Sequence, residues 1–264
     1  MIATVTGIST ACFYPKLTEE SLAWAGELGF QTVELFFNAS CELGGPTLQD
    51  LDAIRRSYGM NIVSVHPFTS VAEGSLFFSD YERRVDDGLE LYRRYFEAAA
   101  QLGAHLLVLH GGKAVKHLPP EFYAERLSRL IEAGHEFGVT VAHENVVHFA
   151  CESVDYAKKL ASLLGDSFRM VLDIKQCVRA GQDPFAFIRE LGAHIDHVHI
   201  SDHGARGDCL PPGEGDFDFT RLFRELSEVG YRGAAIIELY SNGFTDVCQL
   251  TAARRYLEKC DQNL

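Results

Sequence analysis

A short apolar, β-rich run followed by an amphipathic helical stretch recurs eight times along the chain, and this alternation constrains the fold more than any other feature. The β-rich runs fall at residues 4–9, 32–37, 61–68, 105–111, 140–145, 169–175, 195–201 and 234–240. The helical stretches fall at 18–28, 48–58, 81–102, 121–137, 153–164, 184–191, 219–229 and 247–259. Capping signals open several of them: Thr18, Ser153, and Asp183 with Pro184 just inside the first turn. Glycine closes most of them, at Gly29, Gly59, Gly103, Gly138, Gly192 and Gly230, where the left-handed conformation ends a helix. Eight such units predict an α/β fold, a closed parallel (β/α)8 TIM barrel, over an open doubly wound sheet. No GxGxxG follows the first run, which removes the main support for the open sheet. The 264 residues suit one barrel, and no Pro/Ser-rich linker or charge block divides them, so 1–264 reads as a single domain.

Composition narrows the function classes. The chain has 24 Lys and Arg against 37 Asp and Glu, a formal net charge of −13. That balance argues against a protein held on nucleic acid by bulk charge. Seven cysteines at wide spacings, with no CxxC pair, fit neither a disulfide framework nor a thiolate zinc site. No apolar run of about 18 residues occurs, and no basic segment leads into an apolar one at the N-terminus. The expectation is a cytoplasmic protein with no membrane partner.

Barrels of this type carry their chemistry at the C-terminal ends of the strands. Polar residues collect there: His66-Pro67, His110-Gly111-Gly112, His143-Glu144-Asn145, Asp173 with Lys175-Gln176, His197-Val198-His199 with Asp202, and Glu238. Each follows a short apolar run, so its side chain leaves a buried strand where the barrel opens. Glu144, Asp173, His199 and Glu238 come from the last four strands and are expected to converge. Desolvation and mutual charge would raise the pKa of three carboxylates so crowded, and a divalent cation relieves the strain. Three oxygens and one imidazole suit Mn²⁺ or Zn²⁺ first, with Mg²⁺ and Co²⁺ as alternatives. His143, Asn145, Lys175 and His197 are available to orient these ligands.

In their order along the chain, these motifs resemble the xylose isomerase-like barrels. With Pro211 to Phe219 (PPGEGDFDF) after the seventh strand, they are most similar to the sugar phosphate isomerase/epimerase group, which includes D-tagatose 3-epimerase-type enzymes and inosose dehydratases. The resemblance implies one metal held by Glu144, Asp173, His199 and Glu238, chelating the carbonyl and neighbouring hydroxyl of a ketose or sugar phosphate. It implies that Glu144 and Glu238 act on opposite faces of the substrate, one removing a proton beside the carbonyl and the other returning it. His66, His110, Lys175, Gln176 and Arg206 are then expected to contact substrate. Two positions depart from the group. Gln176 stands where a histidine is common, and Arg206 stands seven residues after His199 instead of six. Related barrels often form dimers or tetramers, and the sequence designates no interface.

Several residues keep a second reading. His66 and His110 match histidines that hold an additional zinc in the related apurinic endonuclease barrels; substrate contact is favoured because Gln176 replaces a ligand of that group. Glu34 either lines the site or bonds a neighbouring loop. Phe36, Phe68, Phe77 and Phe78 are candidates for an apolar wall over the sugar, or ordinary core. Lys113, Lys116, Lys175 and Arg206 are basic candidates for a phosphate, or merely solvated surface residues, and Ser241-Asn242-Gly243 is a weak phosphate turn. The competing functions are a dehydratase on the same site, an apurinic endonuclease, and a barrel that only binds sugar.

Overall fold

The computed structural model describes residues 4–113 and 118–262. Its strands, in chain order, are β1 (Val5–Ser9), β2 (Thr32–Phe37), β3 (Asn61–Pro67), β4 (Leu106–Leu109), β5 (Thr140–Glu144), β6 (Arg169–Asp173), β7 (Ile195–Ile200), β8 (Asp202–Gly204), β9 (Gly207–Leu210) and β10 (Ala234–Ile237). All but β8 and β9 form a closed parallel barrel of eight strands, in the order β1-β10-β7-β6-β5-β4-β3-β2. The ring closes where β1 pairs with β10, Val5 against Ala234 through Ile8 against Ile237. The helices are α1 (Thr18–Glu27), α2 (Gly45–Tyr58), α3 (Glu73–Leu76), α4 (Glu82–Leu102), α5 (Pro120–His135), α6 (Val154–Leu164), α7 (Ile174–Arg179), α8 (Pro184–Leu191), α9 (Phe219–Glu228) and α10 (Cys248–Gln262). Among the described residues no helix is long and apolar enough to cross a membrane.

Strand periodicity decides which side chains reach the site, because successive residues point to opposite faces. On β4, β5 and β6, Leu106, Val108, Ala142 and Val171 form a small buried cluster of their own within the barrel. Leu107, Leu109 and Val141 alternate with them and join the larger core beneath the helices. Carried forward, the inward phase leads to His110, Glu144 and Asp173. The outward phase leads to His143, whose Nε2 lies 2.6 Å from the Tyr123 hydroxyl on α5.

The expected runs are trimmed at their C-terminal ends. The run 169–175 is strand only to Asp173, because Asp173 Oδ1 accepts from the Gln176 amide at 2.9 Å and caps α7. Lys175 and Gln176 therefore sit on the first turn of a helix. The run 105–111 stops at Leu109, and Gly111 turns the chain with φ 82°. A Cβ there would fall 2.1 Å from the Tyr123 hydroxyl, so only glycine fits. Thr18 does not cap α1; Leu17 takes that place, and the Thr18 hydroxyl accepts instead from Asn38 Nδ2 at 2.9 Å. Of the six glycine stops only Gly192 lacks a positive φ, at −53°; a Cβ there would lie 2.8 Å from Val229, so close packing explains it.

The β8–β9 hairpin was not expected, since three- and four-residue strands carry too little periodicity to register. Behind it the PPGEG stretch wraps around one buried carboxylate. Asp202 Oδ2 accepts from Gly213 and Gly215 at 2.9 Å each, and Oδ1 accepts from His203 at 2.8 Å and Phe217 at 3.1 Å.

Candidate active site

The barrel brings Glu144, Asp173, His199 and Glu238 together at its C-terminal mouth, each offering one donor atom within 4.8 Å of the others. They come from adjacent strands of the ring, β5, β6 and β7, and from the residue after β10. His199 Nδ1 lies 3.3 Å from Glu144 Oε1, 3.5 Å from Glu238 Oε2 and 3.9 Å from Asp173 Oδ2. Glu144 and Glu238 occupy the two ends of this arc, with Asp173 and His199 between them. Asp173 divides its oxygens. Oδ1 caps α7, and the buried Oδ2 makes no hydrogen bond.

The expectation that all three carboxyls are pushed up holds for one of them. Burial, with the charges of Glu144 and Glu238 beside it, raises Asp173 to about 7. Burial would raise Glu144 too, but His110 and His199 outweigh it and hold that carboxyl well below its usual range. Glu238 is likewise lowered, burial being outweighed by Lys175 and His199. Burial disfavours the His199 imidazolium, yet the surrounding carboxylates raise it well above the usual value. The cations that reverse the expectation come from other parts of the barrel, His110 after β4, Lys175 on α7 and His199 on β7, which local sequence does not reveal.

Lys175 is buried, with Nζ 2.9 Å from Glu238 Oε2 and 3.3 Å from Asp173 Oδ2. Gln176 Oε1 accepts from the Val147 amide at 3.2 Å. Asn145 ties β5 to β6: its Oδ1 accepts from the Asp173 amide at 2.7 Å, and its Nδ2 donates to the Asp173 carbonyl at 3.0 Å. His66 and His110 meet through their Nε2 atoms at 3.0 Å, and His110 Nε2 lies 3.0 Å from Glu144 Oε2. Glu144 thus turns Oε1 to His199 and Oε2 to His110.

Glu34 fills neither role weighed for it. Its side chain is fully buried beneath the centre, and Oε2 lies 3.0 Å from His197 Nε2 and 3.1 Å from His199 Nε2. Glu73 on α3 is a buried acid that sequence gave no reason to single out. It accepts from the Gly111 amide and the Tyr92 hydroxyl, both at 2.5 Å, and burial lifts it to about 7.

Above the centre lies a cavity of about 330 Å³, at the small end of the usual range for small-molecule sites. Its polar lining includes His66, His110, Glu144, Lys175, Gln176 and Glu238; Ala11, Tyr14, Phe36, Leu239 and Tyr240 supply apolar walls. Of the four phenylalanines considered for a wall, Phe36 lines it; Phe77 and Phe78 are core. Arg206 is not brought to the cavity. It is exposed on the β8–β9 turn, and its guanidinium holds the Glu214 carboxylate at 2.9 Å and carbonyl at 2.7 Å. Lys113 lines a different cleft, and Lys116 lies outside the described residues.

Three carboxylates and an imidazole with converging donor atoms, one of them the buried Asp173 Oδ2 3.3 Å from the Lys175 ammonium, fit a hard or borderline divalent cation. Above them the cavity leaves room for a small polar substrate to reach both glutamates.

A family profile described as Xylose isomerase-like TIM barrel matches residues 22–260. The chain belongs to that family. Among relatives of this xylose isomerase-like barrel is fructoselysine 3-epimerase of Shigella flexneri, 24% identical over 250 residues that span 89% of each chain. A D-tagatose 3-epimerase-like protein of known structure superposes with a TM-score of 0.80 at 22% identity, covering 98% of this chain and 97% of the other. A probable 3-DHS dehydratase from Bacillus anthracis superposes with a TM-score of 0.74 at 16% identity, covering 96% and 98%. The similarity therefore joins this barrel to epimerases and to a dehydratase.

Proposed function

We propose that this barrel is a metal-dependent sugar isomerase or epimerase that moves a proton beside a ketose carbonyl. The observation that carries the reading is the position of Glu144 and Glu238 at opposite ends of the donor arc, both lining the same cavity. A divalent metal held by Glu144, Asp173, His199 and Glu238 supplies Lewis-acid stabilisation of the negative charge that develops on the carbonyl oxygen. One of Glu144 and Glu238 takes a proton from one side of the substrate, and the other, carrying its own proton, delivers that one from the opposite side. His110 and His199 favour the ionised form of Glu144, and Lys175 and His199 that of Glu238, so either can serve as the base, while the other must take up a proton from solvent before it delivers one. His66, His110 and Gln176 offer hydrogen bonds to substrate hydroxyls, and Phe36 and Tyr240 flank its apolar faces.

An uncharged sugar fits better than a phosphorylated one. Among the described lining residues Lys175 is the one lysine or arginine, and two carboxylates already hold it. Gly243, in the turn after β10, spends its amide on the Tyr240 carbonyl at 2.8 Å. All seven cysteines are free, which suits a reducing, cytoplasmic setting.

The test is solvent-deuterium exchange into a panel of ketoses and inososes, with metal present and after chelation. Metal-dependent exchange lost in Glu144→Gln and Glu238→Gln supports the reading; exchange retained in both variants rejects it. A product lacking water favours the second reading, a dehydratase. The structural likeness to a dehydratase keeps that reading open, since it shares the first proton abstraction.

A further inference from the structure

His199 has two ring nitrogens, and only one of them faces the carboxylate centre. Nδ1 looks toward Glu144, Glu238 and Asp173, while Nε2 looks away, 3.1 Å from Glu34 Oε2. An imidazole that coordinates through one nitrogen needs its other N–H directed at an acceptor, which fixes both tautomer and ring plane. Glu34 is the acceptor in place, and it is built in with care. A register shift between β2 and β3 sets Glu34 directly opposite Ser64, with Val63 as the extra residue. The Ser64 hydroxyl then donates to Glu34 Oε2 at 2.8 Å, and His197 Nε2 joins the same oxygen at 3.0 Å. Among the described residues Oε1 has no hydrogen-bond partner. A fully buried carboxylate that gathers three donors on one oxygen and none on the other has its orientation imposed by the surrounding strands.

We infer that Glu34 is a positioning residue: it holds His199 with Nε2–H on its own Oε2 and Nδ1 directed at the carboxylate centre. The inference rests on the proposed function only in treating His199 as a metal ligand; the orientation of the ring is a property of the protein alone. Ser64 and His197 act one step further back, by keeping Glu34 Oε2 turned to the ring.

Two measurements test this. The first is calorimetric titration of chelator-stripped protein with Mn²⁺ and Zn²⁺, with thermal unfolding recorded in parallel. Glu34→Ala is expected to weaken binding by about 10–100-fold. Glu34→Gln, whose amide oxygen still accepts one N–H, is expected to fall between Glu34→Ala and wild type. A merely structural role would lower the unfolding temperature and leave the affinity of the folded variants unchanged, and that result overturns the inference. The second is ¹H–¹⁵N NMR of the metal-free protein. A slowly exchanging downfield Nε2–H resonance of His199, assigned by its loss in His199→Asn, is expected in wild type and absent from Glu34→Ala. If Glu34→Ala does not fold, Glu34→Gln carries both measurements. Wild-type protein that binds neither ion rejects the proposed function, and the NMR signal then decides the placement of His199 without it. A wild-type spectrum lacking the resonance overturns the inference even if metal binds.

Discussion

Lys175 Nζ lies 2.9 Å from Glu238 Oε2, and the ammonium is almost sealed from water. One of the two carboxyls proposed to move a proton is thus favoured in its ionised form by a cation of the fold. Removing one partner of a buried pair leaves the other uncompensated and typically costs about 3–5 kcal/mol. Lys175→Met is expected to lose stability in that range in urea unfolding of metal-free protein, and less with metal present. A loss under about 1 kcal/mol without metal would mean the ammonium is not pairing.

In the proposed mechanism Asp173 would separate holding a metal from moving a proton, because its Oδ2, 3.3 Å from Lys175 Nζ, faces the centre but does not line the cavity. A ligand at about 100 times its dissociation constant stabilises the folded state by about 2.7 kcal/mol. Wild-type protein is expected to gain at least that much with saturating Mn²⁺ or Zn²⁺. Asp173→Asn is expected to show almost no gain while remaining folded without metal. Differential scanning with and without chelator reads both.

Glu73 provides a pH signature outside the centre. Its carboxyl is raised by burial to about 7, against an ordinary value of 4.5. Between those values the folded protein keeps a proton that the unfolded chain has lost, so stability falls as pH rises through the window and levels off above it. At 1.36 kcal/mol per pKa unit, the contribution is on the order of 3 kcal/mol. Glu73→Gln mimics the protonated acid, with its oxygen on the Gly111 amide and its nitrogen on the Tyr92 oxygen. The variant is expected to have a flatter stability profile between about pH 4.5 and 7. An unchanged profile would mean that Glu73 stays ionised.

The seventh loop depends on a single carboxylate. Asp202 accepts from His203, Gly213, Gly215 and Phe217, and no other side chain among the described residues bonds those amides. Hydrogen bonds to a charged group contribute about 1.5–3 kcal/mol each, and buried amides left unpaired add to the loss. Asp202→Ala is expected to cost at least 3 kcal/mol by that measure, about the value of one or two such bonds. Hydrogen exchange at Gly213 and Gly215 should accelerate first.

The barrel was legible because its signal repeats: eight apolar runs, each with a helix behind it, leave little freedom of architecture. The convergence of Glu144, Asp173, His199 and Glu238 was legible for a related reason, since each ends an inward-facing phase of its strand. What stayed hidden depended on contacts distant in sequence. Glu34 lies 165 residues from His199, and the register shift at Val63 that sets its partner has no local signature. The lowered pKa of Glu144 and Glu238 followed from His110, His199 and Lys175, each from a different element. Arg206 was misplaced because the β8–β9 hairpin was unseen; the hairpin carries it outward to Glu214.

Closure of the ring has a consequence for how the protein is made. Val5 to Ile8 pair with Ala234 to Ile237, so β10, the strand that delivers Glu238, docks against the very start of the described chain. Contacts that join such distant segments form late, because loop closure must precede them. During synthesis Glu144, Asp173 and Glu238 are separate, hydrated acids with little mutual repulsion. Glu144 and Asp173 sit on neighbouring strands and can meet before the ring closes, whereas Glu238 joins them only when β10 docks.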